Sequence, residues 1–146
     1  MTNKAKNIKF HEDIAIADTA FTIEGKTPEE LFKNAGIALF SSMADVSKIE
    51  TREERKFKLE GEKLDVLLFD FLNELLFYKD SENLLFSKFN VKIKKGKTHK
   101  LKAVIEGEKA NPEKHRVSTD IKAITMHMFK LEKTKKGYEA RVVIDI

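Results

Sequence analysis

Two acidic groups meet at the end of this chain, the side chain of Asp145 and the α-carboxylate of Ile146. The segment leading to them, Arg141-Val-Val-Ile-Asp-Ile146, alternates with the two-residue period of a strand. That period places Val142, Ile144 and Ile146 on one face and Arg141, Val143 and Asp145 on the other. A sheet would therefore hold two carboxylates at one pre-organised spot. Hard oxygen donors so arranged suit calcium, magnesium or manganese ions better than a soft metal. The competing reading is that Asp145 only faces water at a sheet end.

Other residues with chemical capacity are scattered. His127 lies in Ile121-Lys-Ala-Ile-Thr-Met-His-Met-Phe129, on the expected strand face of Ala123, Thr125 and Phe129. A lone histidine there reads as a hydrogen-bonded core residue before it reads as a ligand. His115 falls in residues 108–119, a connection without periodicity, where contact with a partner and no role at all are both open. Asp70 and Glu74, one helical turn apart, could hold a cation or form a polar stripe. The two Gly-Lys-Thr triplets, at Gly25 and Gly96, are not phosphate loops, because the glycine required five residues upstream is replaced by Ala20 and Val91. No dinucleotide fingerprint, zincin motif, EF-hand loop or serine elbow occurs either.

The elements that must position these groups are legible from periodicity. Residues 14–24 read as a strand. Thr27, Pro28 and Glu30 then form a helix start: an N-cap, a proline where no N–H is needed, and the far half of a capping box. That helix is expected to run to residue 43, with Phe32, Ala35, Gly36, Leu39 and Met43 on its apolar face. A strand over 52–60 precedes a second helix over 62–79, whose apolar residues extend almost all round and predict cover on more than one side. Strands follow at 86–94, 100–107, 120–132 and 138–146, with hairpin turns at Gly96 and Gly137. The expectation is an α+β fold in a single domain, residues 1–146, with two helices packed on a mainly antiparallel β-sheet.

Bulk properties narrow the classes. At 146 residues the chain can bury roughly 68–70% of its unfolded surface, so it needs no staple. It has no cysteine, which excludes disulfides, thiolate metal sites and cysteine nucleophiles and fits a cytoplasmic location. No apolar stretch follows the charged N-terminal residues, so no signal peptide is expected. Asp70, Asn73 and Glu74 interrupt the densest apolar run, so no membrane span is expected. The net charge of +4 is unevenly placed, with Lys92, Lys94, Lys95, Lys97, Lys100 and Lys102 around one hairpin and Lys130, Lys133, Lys135 and Lys136 around another. Those lysines read as edge protection, or as a surface that meets RNA phosphate or an acidic protein; no aromatic residue interleaves to stack bases.

The order of segments resembles the archease family over essentially the whole length. The resemblance is carried by Ala17-Asp18 before Gly25-Lys-Thr-Pro-Glu-Glu-Leu31, by Leu67-Leu-Phe-Asp-Phe-Leu-Asn-Glu-Leu-Leu76, and by Leu84-Leu-Phe86. Asn111-Pro-Glu-Lys-His115, Thr119-Asp-Ile-Lys-Ala-Ile-Thr-Met-His127 and the closing Arg141 to Ile146 complete it. The family usually reads Glu-His-Thr-Ala-Asp before the first glycine. Here Ile14-Ala15-Ile16-Ala17-Asp18 keeps only the final Ala-Asp, so hydrogen bonds that the histidine or threonine would make behind a metal are absent or replaced.

The resemblance implies an accessory protein, not an enzyme with its own small-molecule substrate, that activates an RtcB-type RNA ligase in tRNA splicing. Such a ligase joins a phosphate-bearing RNA end to a hydroxyl end using GTP and divalent metal, through a guanylylated histidine. The accessory protein promotes guanylylation and multiple turnover and broadens nucleotide use; RNA is met only through the ligase. The family site carries over as Asp18, Asp145 and Ile146, holding a divalent cation, calcium before magnesium or manganese. Lys122 matches a family lysine near it, and His127 and His115 are near-site or partner-facing candidates. The residues agree with this: a first strand paired beside the last would bring Asp18 to Asp145, and carboxylates so gathered call for one of them to titrate high or for a cation among them. Two other functions remain open, an independent metal-dependent phosphoesterase and a chaperone or RNA-binding module working through the lysine-rich hairpins.

Overall fold

The computed structural model describes residues 8–15 and 18–146, with side chains at Ile8, Lys9 and from Ala20 onward. In chain order the elements are β1 (Ile8–Ala15), β2 (Asp18–Gly25), α1 (Pro28–Ser41), a 3-10 turn (Val46–Lys48), β3 (Glu53–Gly61) and α2 (Leu64–Glu82). They continue with β4 (Leu84–Lys95), β5 (His99–Lys109), α3 (Pro112–His115), β6 (Ala123–Thr134) and β7 (Gly137–Asp145). The α+β expectation holds.

Three expectations are corrected. The strands form two antiparallel sheets, ordered β1-β2-β7-β6 and β3-β5-β4, rather than one. The strand read over 14–24 is the meeting of two strands, β1 and β2, paired with Ile8 opposite Ile23 and Ala15 opposite Asp18. The residues between them, Ile16 and Ala17, lie outside the described part and carry no glycine, proline or asparagine to mark a turn. Finally, residues 112–115 of the aperiodic connection form the short helix α3.

Local chemistry starts the first helix as its sequence dictates. Thr27 Oγ1 accepts the Glu30 N–H at 3.1 Å, and Glu30 Oε1 accepts the Lys26 N–H at 3.2 Å. The reciprocal half of the box thus lands one residue before the cap. Gly137 turns the β6–β7 hairpin at φ 143°, a value that favours glycine.

Both long helices touch both sheets: α1 packs on β2 and β4, and α2 on β6 and on all three strands of the smaller sheet. This explains the nearly continuous apolar surface of α2. Leu67, Leu68, Phe71, Leu72 and Leu75 are fully buried there. Phe71 stands at the centre, its ring 5.5 Å from that of Phe32 on α1 and 5.9 Å from that of Phe57 on β3. Phe21, Val142 and Ile144 supply the core face of the larger sheet, and Leu101, Ile105 and Phe86 that of the smaller. Burial of this kind is the dominant favourable term in folding. Its result for function is a rigid central strand, β7, carrying Asp145.

Candidate functional site

β7 lies inside its sheet, between β2 and β6. Its register sets Asp18 opposite Asp145 on one side and Ala123 opposite Asp145 on the other. Directly opposed residues of an antiparallel pair share a sheet face. Two aspartates far apart in sequence are thereby placed together by backbone pairing alone. Asp145 and Ile146 are both half-buried. The Asp145 carbonyl accepts the Lys122 N–H at 2.8 Å, so the main chain of Lys122 is bonded to the same point, with its side chain exposed.

The face that carries Asp145 is more sheltered than strand alternation alone suggests. Val143, expected on the outward side, is fully buried, as is its register partner Ala20. On that same face Thr125 stands opposite Val143, and Arg141 lies one pleat beyond it. Thr125 Oγ1 and Arg141 Nε are buried and have no hydrogen-bond partner among the described residues. The donor set fits a hard divalent cation: Asp145, Ile146 through its main chain or terminal carboxylate, and Asp18 would supply the oxygens. Among the described residues no three histidine, aspartate or glutamate side chains cluster to hold a metal. The set therefore depends on Asp18, whose side chain lies outside the described part, as do the substituted side chains of Ile14, Ala15 and Ile16.

The histidines part company with their sequence readings. The pairing of β6 with β7 is irregular between Thr125 and Lys130, and Met128 there adopts φ 55°. The irregularity breaks strand alternation, so His127 is exposed rather than a core residue. Met126 and Met128 on either side of it are exposed too, at 58% and 49%.

His115 is corrected in the opposite sense. It is fully buried and cannot meet a partner's surface. Its Nδ1 accepts the Asn111 N–H at 2.9 Å, which leaves Nε2 to donate to Glu108 Oε2 at 2.8 Å. Glu108 also accepts from Lys114 Nζ at 2.8 Å and from the Glu50 N–H at 2.9 Å. Burial alone would raise the Glu108 carboxyl, but those hydrogen bonds outweigh it and hold its pKa at about 2. The Asp45 N–H to the His115 carbonyl and the Ser118 N–H to the Met43 carbonyl, at 2.7 and 2.9 Å, fasten the rest of this segment. It is a tied-down connection. Asp70 and Glu74 lie half-buried on α2 and belong to no metal-holding cluster among the described residues.

One positioning residue has no precedent in the sequence reading. Lys79, in the last turn of α2, is buried, and its ammonium donates to Asp120 Oδ1 at 2.5 Å and to the Ile121 carbonyl at 3.0 Å. Burial opposes its charge, but the bonds to Asp120 and Asp80 prevail and raise its pKa. The run from Lys79 through Asp120 and Ile121 to Lys122 anchors the strand that flanks Asp145. A lysine continuing the Leu68–Leu72–Leu75 stripe at helical spacing was the available signal.

The model of the archease protein family (MTH1598/TM1083) matches residues 10–146. The chain belongs to the archease family. It is 46% identical to the archease of Pyrococcus abyssi over 132 residues, covering 89% of this chain and 93% of that one. With the archease of Methanosarcina mazei it shares 38% identity over the full length of both. The solution structure of Methanobacterium thermoautotrophicum protein 1598 superposes with a TM-score of 0.85 at 39% identity, covering 97% of this chain and 99% of that one. The crystal structure of an archease from Thermotoga maritima, described as a possible chaperone, has a TM-score of 0.61 at 23% identity, covering 90% and 93%, and so speaks to fold alone. Like these archeases, the chain pairs helices with antiparallel strands. No helix among its described residues is long and apolar enough to cross a membrane.

Proposed function

We propose that this archease is an accessory protein that activates an RtcB-type tRNA-splicing RNA ligase in the cytoplasm. It promotes the ligase's GTP-dependent guanylylation, sustains its multiple turnover and broadens its nucleotide use, with no small-molecule substrate of its own. Asp18, Asp145 and Ile146 hold a divalent cation, calcium before magnesium or manganese. When bound, that cation neutralises the gathered carboxylates and offers a hard Lewis-acid centre at the protein surface. The chain's own residues do the positioning. β2–β7 pairing aligns the two aspartates, and the Lys122 N–H holds the Asp145 main chain. Met126 and Met128, exposed on the β6 irregularity, offer the ligase an adaptable apolar contact.

The observation that carries this reading is the register pair of Asp18 with Asp145, in a chain of the archease family. The assay is RNA joining by the ligase with GTP and divalent cation, with and without this protein. The expected result is product beyond one equivalent of ligase only when the protein is present, and no turnover of phosphate esters by the protein alone. Phosphoester hydrolysis by the isolated protein, with no effect on the ligase, would replace this reading with that of an independent phosphoesterase.

A further inference from the structure

The three-stranded sheet turns its apolar face to the helices and its other face outward. Across that outward face the register sets Lys58 opposite Lys102 and Lys102 opposite Lys92, so one whole row is lysine. The next row reads Glu60, Lys100, Lys94. All five lysines are exposed, and none has a carboxylate within ion-pair distance among the described residues. Glu60, the acid nearest to them in register, accepts a hydrogen bond from Thr98 instead. At the other end of the same face charges are neutralised, with Lys88 3.4 Å from Glu106 and Lys56 3.6 Å from Glu54.

Edge protection accounts for Lys58, Lys92 and Lys94 on the edge strands β3 and β4, but not for the two lysines between them. β5 is the central strand of its sheet, so Lys100 and Lys102 guard no edge. Like charges placed directly opposite one another cost stability. The arrangement is a flat grid of cations, with rows about 6.7 Å apart along the strands and columns about 4.8 Å apart across them. The outward positions of these rows carry no aromatic or aliphatic side chain to anchor a protein partner or stack a base. A regular polyanion needs neither.

We propose that this lysine face binds the phosphodiester backbone of single-stranded RNA without reading its sequence. The choice of RNA over DNA rests on the ligase reading above; the choice of a phosphodiester chain does not. This departs from the expectation that RNA is met only through the ligase. The protein then has two separate surfaces, a carboxylate site on the larger sheet and a cationic face on the smaller.

The test is fluorescence anisotropy of the full chain with a labelled, unstructured RNA of about twenty nucleotides, since single-strand binding is read through its salt dependence. Five phosphate contacts predict a log–log salt slope of about −3 to −4, or roughly a hundredfold loss of affinity between 50 and 200 mM salt. The triple variant Lys58→Gln, Lys92→Gln, Lys102→Gln is expected to bind at least tenfold more weakly. Its slope should be shallower by about two, and its thermal midpoint no lower than wild type. Binding of single-stranded DNA within a few-fold of RNA supports backbone reading. So does wild-type RNA affinity in Asp145→Ala, a variant whose loss of ligase activation would concern the other surface only. RNA affinity undiminished in the triple variant, or competition by polyglutamate equal to that by RNA, overturns the proposal.

Discussion

At the scale of single residues, the structure separates side chains that hold the molecule together from those free to act. His115 and Glu108 belong to the first group, buried against each other and bonded to Asn111, Glu50 and Lys114. Because the folded Glu108 carboxyl titrates at about 2, below its ordinary 4.5, its stabilisation is complete above pH 4.5 and is lost as pH falls through about 2. Thermal melts of wild type and Glu108→Gln should therefore differ most at neutral pH, where the variant melts roughly 3–6 °C lower, and converge as the pH approaches 2. Parallel curves across that window would show that the Glu108 charge does not stabilise the fold. Sequence could not have assigned these roles. Burial of His115 depends on residues brought in from Met43 to Glu50, and no periodicity within 108–119 announces that contact. Lys79 was closer to legible, since its spacing already set it on a buried stripe.

At the scale of elements, apolar periodicity carried most of the reading. α1, α2 and the strands from β3 onward lie within a few residues of where alternation and the Thr27–Pro28–Glu30 start signal place them. The failures occur where the chain departs from regular geometry. One is the unmarked junction between β1 and β2, and another is the β6 irregularity that exposes His127. A third departure is the shift between Phe86 and Lys88, where β4 crosses β5 at Gly107. A Cβ on Gly107 would stand 1.8 Å from the Leu85 carbonyl oxygen, a backbone atom that cannot step aside. Gly107→Ala is expected to cost about 3 kcal/mol in chemical denaturation. Gly96→Ala, whose added carbon meets nothing nearer than 3.6 Å, should stay within about 0.5 kcal/mol of wild type. Equal stability of the two variants would mean that the strands do not cross so closely.

At the scale of the whole molecule, two sheets wrapped on two shared helices each keep one face turned away from those helices. One gathers Asp18 and Asp145 by register, and the other spreads lysines across all three of its strands. The alternation of the last six residues was enough to suggest a carboxylate site. Asp18 was named only by the family resemblance, and the β2–β7 register sets it opposite Asp145. In the proposed function this carboxylate pair is what activates the ligase. That role is tested most directly by the single-turnover rate of ligase guanylylation with GTP and divalent cation, stimulated by wild type or by Asp145→Ala. Asp145 is half-buried at a strand end, so the variant should fold with a loss of no more than about 1 kcal/mol. It is expected to lose the stimulation by roughly tenfold or more. A folded Asp145→Ala protein that stimulates guanylylation as well as wild type would contradict that role.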